Sequence, residues 1–353
     1  MIGRGAALLV FAATLLPAVV SGATVQSPQR SIEIPRFDER LDVRLVPVVV
    51  RVVDKRGDPV PGLGRENFTV RVAGRKRPVR FVDWVDSSVV PPITLRDLER
   101  PNASWSRPEA LPGKLVVLFY QSDLQRARLK GQLLLRPRVR DFLEMLEPHD
   151  LTAIVSFDSH LRLVQDFTAD PQLLAVATDR AFLRGGGPAV RSRNPPSLAE
   201  YFDVQAARAT ASPEQALRLL GDALGELPGE KILVYLGWGL PRTSEIVSGA
   251  GSDYELAVTS LARGGVTVFV LDVTEADYHS LEIGLQQVAR DTGGTYFKTY
   301  PLSGVAVERL ASTISGYYVL YLSMDELAPG SHPVSVRLKG AKGSLLARTT
   351  HVN

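Results

Sequence analysis

A chain of 353 residues, 45% of them apolar and 22% charged, buries a sizeable core and forms one large domain or two smaller ones. Its formal net charge of +3, with both signs mixed along the chain, gives no electrostatic case for nucleic acid. The absence of cysteine excludes disulfides, thiolate metal sites and thiol catalysis.

The first residues read as a route out of the cytoplasm. Arg4 precedes an apolar run from Ala6 to Val20, and Ser21-Gly22-Ala23 offers small residues for cleavage. The run is short for a membrane span, so residues 1–23 are expected to be a signal peptide rather than an uncleaved anchor, placing the mature chain in the periplasm or outside the cell. No later segment has transmembrane length. Residues 42–86 read as a small β module. Val46, Val48, Val50 and Val52 share one strand face, and Pro47, Val49, Arg51 and Val53 share the other. Pro47 cannot donate to a ladder, which places it near a strand start or at a sheet edge. Turns at Lys55-Arg56-Gly57-Asp58 and Ala73-Gly74-Arg75 separate the strands, and Arg75-Lys76-Arg77 reads as solvated turn. Residues 87–114, rich in Pro, Ser and Arg, read as a linker.

Beyond Lys114 strands and helices alternate. Leu115–Tyr120 is a continuous apolar strand, and Leu135, Val139, Phe142, Leu143 and Leu146 mark one helix face. The strands Thr152–Phe157 and Leu161–Phe167 are joined only by Asp158-Ser159-His160, which demands an antiparallel pair. Asp170 caps a helix with Pro171 at its first position, and 185–211 reads as a long Gly/Pro/Arg-rich loop. Ser212-Pro213-Glu214-Gln215 and Ser252-Asp253-Tyr254-Glu255 are capping boxes for two further helices, with strands at Lys231–Leu236 and Val266–Asp272. A helix at Leu281–Asp291, a short strand at Thr295–Lys298 and a helix at Val305–Ile314 complete the alternation. This order specifies a mostly parallel sheet with helices on both faces over residues 115–314. Strands at Tyr317–Ser323, Pro333–Lys339 and Leu345–His351 follow. Residues 315–353 are expected to pack with the N-terminal β module, because three short strands alone leave an apolar face in water.

Gly237-Trp238-Gly239 follows a strand, as a dinucleotide loop would. Arg242 holds the place of its third glycine, however, and Pro241 sits where the helix should begin, so no nucleotide cofactor is expected. Three stretches instead carry a family resemblance: "VVVRVVDKRGDPVPGLGRENFTV", "LEPHDLTAIVSFDSHLRLVQDFTAD" and "GYYVLYLSMDELAPGSHPVSVRL". Residues 115–314 resemble a von Willebrand factor A-type domain, and nearly the whole chain resembles the exported bacterial proteins called VWFA-related. The resemblance implies a doubly wound α/β fold with a six-stranded, mostly parallel sheet and one antiparallel edge strand. A small β-sandwich-like module from both chain ends accompanies it.

Domains of that type often hold a divalent cation at the carboxyl ends of the strands. The implied ligand run, Asp-x-Ser-x-Ser, falls here on Tyr120-Gln121-Ser122-Asp123-Leu124, so Ser122 alone matches. The implied threonine after a glycine pair is Pro188, and the implied aspartate after the fourth strand is Trp238. Hard cations need oxygen donors with carboxylate charge, so the resemblance implies a degenerate site without metal. Asp123 is the carboxylate from which a rearranged site would be built. Trp238 reads either as packing that fills the vacated volume, with Tyr120 stacked beside it, or as a partner anchor. Asp158-Ser159-His160 carries triad residue types, but consecutive strand residues point to opposite faces. Ser122 and His160 meeting at the rim would make a hydrolase, which no Gly-x-Ser-x-Gly elbow supports. His149, His279, His332 and His351 lie in turns and termini without zinc spacing. The expected function is therefore non-catalytic binding of a protein partner in the bacterial cell envelope. The contact surface would be the rim carrying Ser122, Asp123, Asp158, His160, Trp238 and Asp272, with no cofactor.

Overall fold

The structure, a computed structural model, describes residues 45–88, 113–123, 125–183, 187–192, 195–240, 253–324 and 327–352. The expected signal peptide, most of the expected linker, Leu124 and the capping residue Ser252 lie outside the described residues. Strands β1 (Leu45–Val53), β2 (Phe68–Val72), β3 (Arg75–Arg77) and β4 (Val79–Asp86) come first. The basic run Arg75-Lys76-Arg77 is thus a strand and not a turn. Pairing of Val72 with Arg75 closes a tight hairpin over Ala73-Gly74, and Arg77 is buried while Arg75 and Lys76 stay exposed.

The central elements follow as β5 (Leu115–Gln121), α1 (Arg126–Glu144), β6 (Leu151–Phe157), β7 (Leu161–Thr168) and α2 (Pro171–Phe182). Next come α3 (Leu198–Tyr201), α4 (Val204–Arg208), α5 (Pro213–Gly225), β8 (Lys231–Gly237), α6 (Asp253–Gly264) and β9 (Val266–Asp272). Helix α7 (Glu282–Thr292), β10 (Tyr296–Lys298) and α8 (Ser303–Thr313) complete this part. The chain ends in β11 (Gly316–Ser323), β12 (Ser331–Leu338), β13 (Ser344–Ala347) and β14 (Thr350–Val352).

Six strands form one sheet in the order β10-β9-β8-β5-β6-β7. All neighbours are parallel except β6 and β7, which the three-residue turn at 158–160 forces to be antiparallel. The central strands are buried on both faces. Leu115, Val117 and Phe119 join one apolar layer, and Val116, Leu118 and Tyr120 join the other. This is the doubly wound, von Willebrand factor A-like arrangement, with the strand order reversing between β5 and β8.

Two four-stranded antiparallel sheets, β13-β1-β11-β4 and β14-β12-β2-β3, interleave strands from both chain ends. Val48, Val50 and Val52 of β1 meet Phe68, Val70, Tyr318, Leu320 and Leu322 in the core between them. Pro47 lies in a stretch of β1 that pairs with β11 alone, since β13 reaches only Val50–Val53, and its missing N–H costs no ladder bond there. The last expected strand is two strands in different sheets. The chain breaks where Thr349 N–H donates to Asp291 O at 3.0 Å and Arg348 turns towards Ala262 O.

The stretch 185–211 is not a structureless loop over its described residues. Val190 bridges to Gln165 at the β7 edge, and two short helices follow. Fully buried Asp166 organises the segment by accepting from Ser192 N–H at 3.1 Å, Ser197 Oγ at 2.6 Å and Leu198 N–H at 2.7 Å. A buried carboxylate fixes a surface segment in this way because each bond offsets part of its desolvation. Among the described residues no helix is long and apolar enough to cross a membrane.

Candidate functional site

In an open parallel sheet the crevice outside the carboxyl ends, where the strand order reverses, is the natural binding position. Here that point is flanked by Gln121-Ser122-Asp123 after β5 and Gly237-Trp238-Gly239 after β8. Gln121, buried at 2% exposure, stitches the two loops together. Its Oε1 accepts from Trp238 N–H at 3.0 Å and Gly239 N–H at 3.2 Å, and its Nε2 donates to Gly239 O at 2.8 Å. The glycines are spatial requirements. A Cβ on Gly237 would stand 2.1 Å from Tyr235 Cε1, and one on Gly239 would stand 2.6 Å from Leu281 Cβ.

The indole of Trp238, half-buried against the apolar layer of Leu135 and Leu271, carries a guanidinium on its face. Arg128, in the first turn of α1, places its guanidinium carbon 3.6 Å from the ring centroid and ion-pairs with Asp123. Asp123 also accepts from Gln125 N–H at 2.9 Å, which shapes the start of α1. Both charged side chains keep about a fifth of their surface in water.

As a donor set for a hard cation these residues do not fit. The Asp123 carboxylate is held by a guanidinium, and Tyr120 points into the core, its ring 4.8 Å from Phe182 in an edge contact. Burial raises the Tyr120 phenol well above its ordinary pKa, so it stays neutral and offers no anionic oxygen. The expected stacking of Tyr120 beside Trp238 gives way to this Phe182 contact. Pro188 is exposed, and its carbonyl accepts from Arg180 of α2 at 3.1 Å. Val190, two residues on, bridges to Gln165 of the edge strand β7, three strands from β8.

Asp272, at the end of β9, is fully buried and heads a second polar group. Its Oδ2 lies 2.7 Å from His279 Nε2 and accepts from Tyr296 Oη at 2.5 Å, while Oδ1 accepts from Thr274 N–H at 2.9 Å. Burial and the Asp272 hydrogen bond push the Tyr296 phenol far up, so it remains a donor. Thr274 Oγ1 reaches Trp238 O at 3.4 Å and joins this group to the Trp238 loop. One ligand atom each from Asp272, His279 and Glu282 lies within 4.8 Å of the others. Asp272 and His279 are already bonded to one another, whereas the Glu282 carboxylate is joined to neither and meets Lys298 at 3.3 Å and Gln286 at 3.2 Å. His279, scattered in the sequence, is thereby brought to the rim by the turn before α7.

Asp158, Ser159 and His160 touch one another after all, since they form a turn and do not alternate as a strand would. Ser159 Oγ lies 3.2 Å from both Asp158 Oδ1 and His160 Nδ1. Asp158 is bound to Arg162 at 2.8 Å, and no hydrogen bond joins Ser122 to His160 among the described residues. The structure therefore gathers Asp123, Trp238 and Asp272 into one connected rim and leaves Asp158 and His160 at the β6–β7 turn. Reasoning from the sequence missed Gln121, Arg128 and Tyr296. The readable signal for Arg128 was an arginine five residues after Asp123 at a helix start.

No family model matches the chain, and no curated protein matches it. Among solved structures it is similar to an aerotolerance-related membrane protein from Bacteroides fragilis, at 13% identity and TM-score 0.37, covering 57% of this chain and 98% of that one. It is also similar to the conserved hypothetical protein BatB from Bacteroides thetaiotaomicron, at 14% identity and TM-score 0.39, with the same coverages. A third likeness is to a von Willebrand factor type A structure from Catenulispora acidiphila, at 13% identity and TM-score 0.38, covering 68% and 66%. The strand order and the antiparallel edge strand define the fold independently of these likenesses.

Proposed function

We propose that the protein is a non-catalytic binding module of the bacterial cell envelope that recognises a protein partner through the rim around Trp238, without a metal ion. The observation that carries this reading is the Asp123–Arg128–Trp238 stack at the switch point of the sheet. The positive charge at the rim comes from the protein's own guanidinium, already balanced by the carboxylate of Asp123. A partly exposed tryptophan, whose backbone Gln121 holds, and the arginine on its ring form the pairing of residue types that dominates interface hot spots. Ser122, Asp123, Trp238 and Asp272 form the centre of the proposed surface, with Asp158 and His160 on its flank. Export is supported by Arg4, the apolar run and the small residues Ser21-Gly22-Ala23.

Proximity labelling in the native envelope, followed by capture with purified chain, tests the reading. A partner that survives a chelator and is lost with Trp238→Ala, while that variant keeps its far-UV circular dichroism, supports it. Loss of capture on chelation favours a cation-dependent adhesion module built around Asp123. Labelling of Ser122 by a fluorophosphonate would replace both with a hydrolase.

A further inference from the structure

At the opposite end of the central strands, about 20 Å from Trp238 along β8, a cavity of about 500 Å³ separates the outer face of the β1–β11 sheet from the base of the α/β part. The alternation that sends Val48, Val50, Tyr318 and Leu320 into the sandwich core turns Val49, Tyr317, Val319 and Tyr321 towards this cavity. Leu227 and Pro228, before β8, close the other side. The walls are therefore largely apolar, and the volume suits a small molecule.

Four cations break that apolar lining; Lys114 is paired with Asp150 at 2.9 Å and Arg263 is exposed, which leaves Lys231 and Arg348. Lys231 opens β8 at 8% exposure, and Arg348 comes from the break between β13 and β14. Lys231 Cε and Arg348 Nη2 each lie 4.0 Å from where a Cβ of Gly265 would be, so the two side chains converge on that glycine. Among the described residues each has a single hydrogen-bond partner, and both partners are backbone carbonyls. Lys231 Nζ donates to Leu227 O at 2.6 Å, and Arg348 Nη1 donates to Ala262 O at 3.0 Å. Of the lining acids, Glu230 pairs with Arg51 through Oε1 while its buried Oε2 accepts no hydrogen bond among the described residues, and none of Glu230, Asp83 and Asp86 forms an ion pair with either cation. Burial, with Arg348 nearby, lowers the Lys231 ammonium to about 8, the mark of a charge without a counter-ion. A buried lysine beside a half-buried arginine, with no carboxylate paired to either, is costly unless an anion completes them.

We infer that this cavity is a binding site for a small organic anion, a carboxylate carried on an apolar body, with the carboxylate between Lys231 and Arg348 and the body against Val319 and Tyr321. The site lies apart from the rim and does not depend on the function proposed for it.

Isothermal titration of the full chain with octanoate, 1-octanol and acetate tests the inference. Octanoate is expected to bind one to one, with octanol and acetate at least tenfold weaker because each lacks half of the recognised chemistry. Lys231→Met should weaken octanoate at least tenfold, and Lys231→Arg should keep it within about threefold. Val319→Trp fills the cavity from the other wall with both cations intact and should abolish binding, which covers the case of a methionine variant that fails to fold. Octanol binding as tightly as octanoate, unchanged affinity in Lys231→Met, or no heat with octanoate at millimolar concentration would overturn the assignment.

Discussion

The guanidinium of Arg128 rests on the ring of Trp238 and is tied at the same time to Asp123, so the β5 and β8 loops share one fixed positive charge. A cation over an indole contributes roughly 0.5–2 kcal/mol, more as it is desolvated. Arg128→Ala should therefore destabilise the chain by about 1–2 kcal/mol in urea denaturation, and Arg128→Lys should recover only part, since an ammonium cannot lie flat on the ring. The tryptophan emission should change in parallel. A loss under about 0.3 kcal/mol would show that the stack holds nothing together.

Divalent cations supply the second test of the rim. An ion held at 100 times its dissociation constant adds about 2.7 kcal/mol of stability. With Asp123 engaged by Arg128, millimolar Mg²⁺ or Mn²⁺ is expected to leave the melting temperature of the wild type unchanged. A rise of several degrees would return the rim to the cation-dependent class.

The two glycines around Trp238 should tolerate substitution poorly, for reasons of space and not of backbone dihedral. Gly237→Ala drives a methyl to 2.1 Å from the Tyr235 ring and 2.6 Å from Gln121 Oε1. Overpacking at a buried site costs about 1–3 kcal/mol, and displacing Gln121 would also strip two backbone N–H groups of their acceptor. A loss of about 3 kcal/mol in denaturant unfolding is expected. Gly62, whose φ is +82° with nothing within 4 Å of an added Cβ, offers a control that isolates dihedral strain from crowding.

These relationships mark the border of what the sequence shows. Periodicity and turn chemistry disclosed the central sheet, because a continuous apolar strand such as Leu115–Tyr120 and a three-residue link such as 158–160 each admit few arrangements. The caps at Asp170 and Ser212 were readable for the same reason, being local contacts, and both side chains accept the expected N–H groups. The rim was only half legible. Trp238 and Asp123 could be placed by their strands, but the Gln121 side chain bonds residues more than a hundred positions away, which no local pattern encodes. Arg75-Lys76-Arg77 misled because charge signals solvent whereas the hairpin partner Arg71 lies across the sheet. The split of Leu345–His351 is set by Asp291 and Ala262, and His279 meets Asp272 only through the turn into α7.

The contact between the β module and the α/β part contains a buried ion pair, Arg51 with Glu230, whose guanidinium also lies 5.4 Å from the Phe269 ring and 5.5 Å from that of Tyr317. Removing one partner of such a pair costs about 3–5 kcal/mol because the other charge is stranded, whereas replacing both with apolar groups is often neutral. Arg51→Met and Glu230→Gln should each destabilise by about 3 kcal/mol, and the double variant by much less than their sum. Additive losses in a double-mutant cycle would mean that the two charges do not sense one another.

The buried lysine of the cavity gives the stability of the chain a pH signature. Burial, assisted by Arg348, lowers Lys231 from 10.5 to about 8 in the folded protein. Below pH 8 both folded and unfolded chains carry the proton, and the penalty for the buried charge is present in full. Between pH 8 and 10.5 the unfolded chain still binds the proton and the folded chain has released it, so this residue makes stability rise with pH. A tenfold difference in proton affinity between the two states is worth about 1.4 kcal/mol, which sets the gain at about 2 kcal/mol by about pH 10. Above that pH the opposite sign takes over, because the buried phenols of Tyr120 and Tyr235 and the half-buried ones of Tyr254 and Tyr296 hold their protons in the folded state alone. Lys231→Met should therefore exceed the wild type in stability near pH 7, with the gap closing as pH climbs from 8 to 10. Denaturation midpoints across that range, taken without any organic anion present, check it. A gap that stays constant with pH would mean that Lys231 is charged in the folded chain throughout, and with it that the cavity already holds a counter-ion.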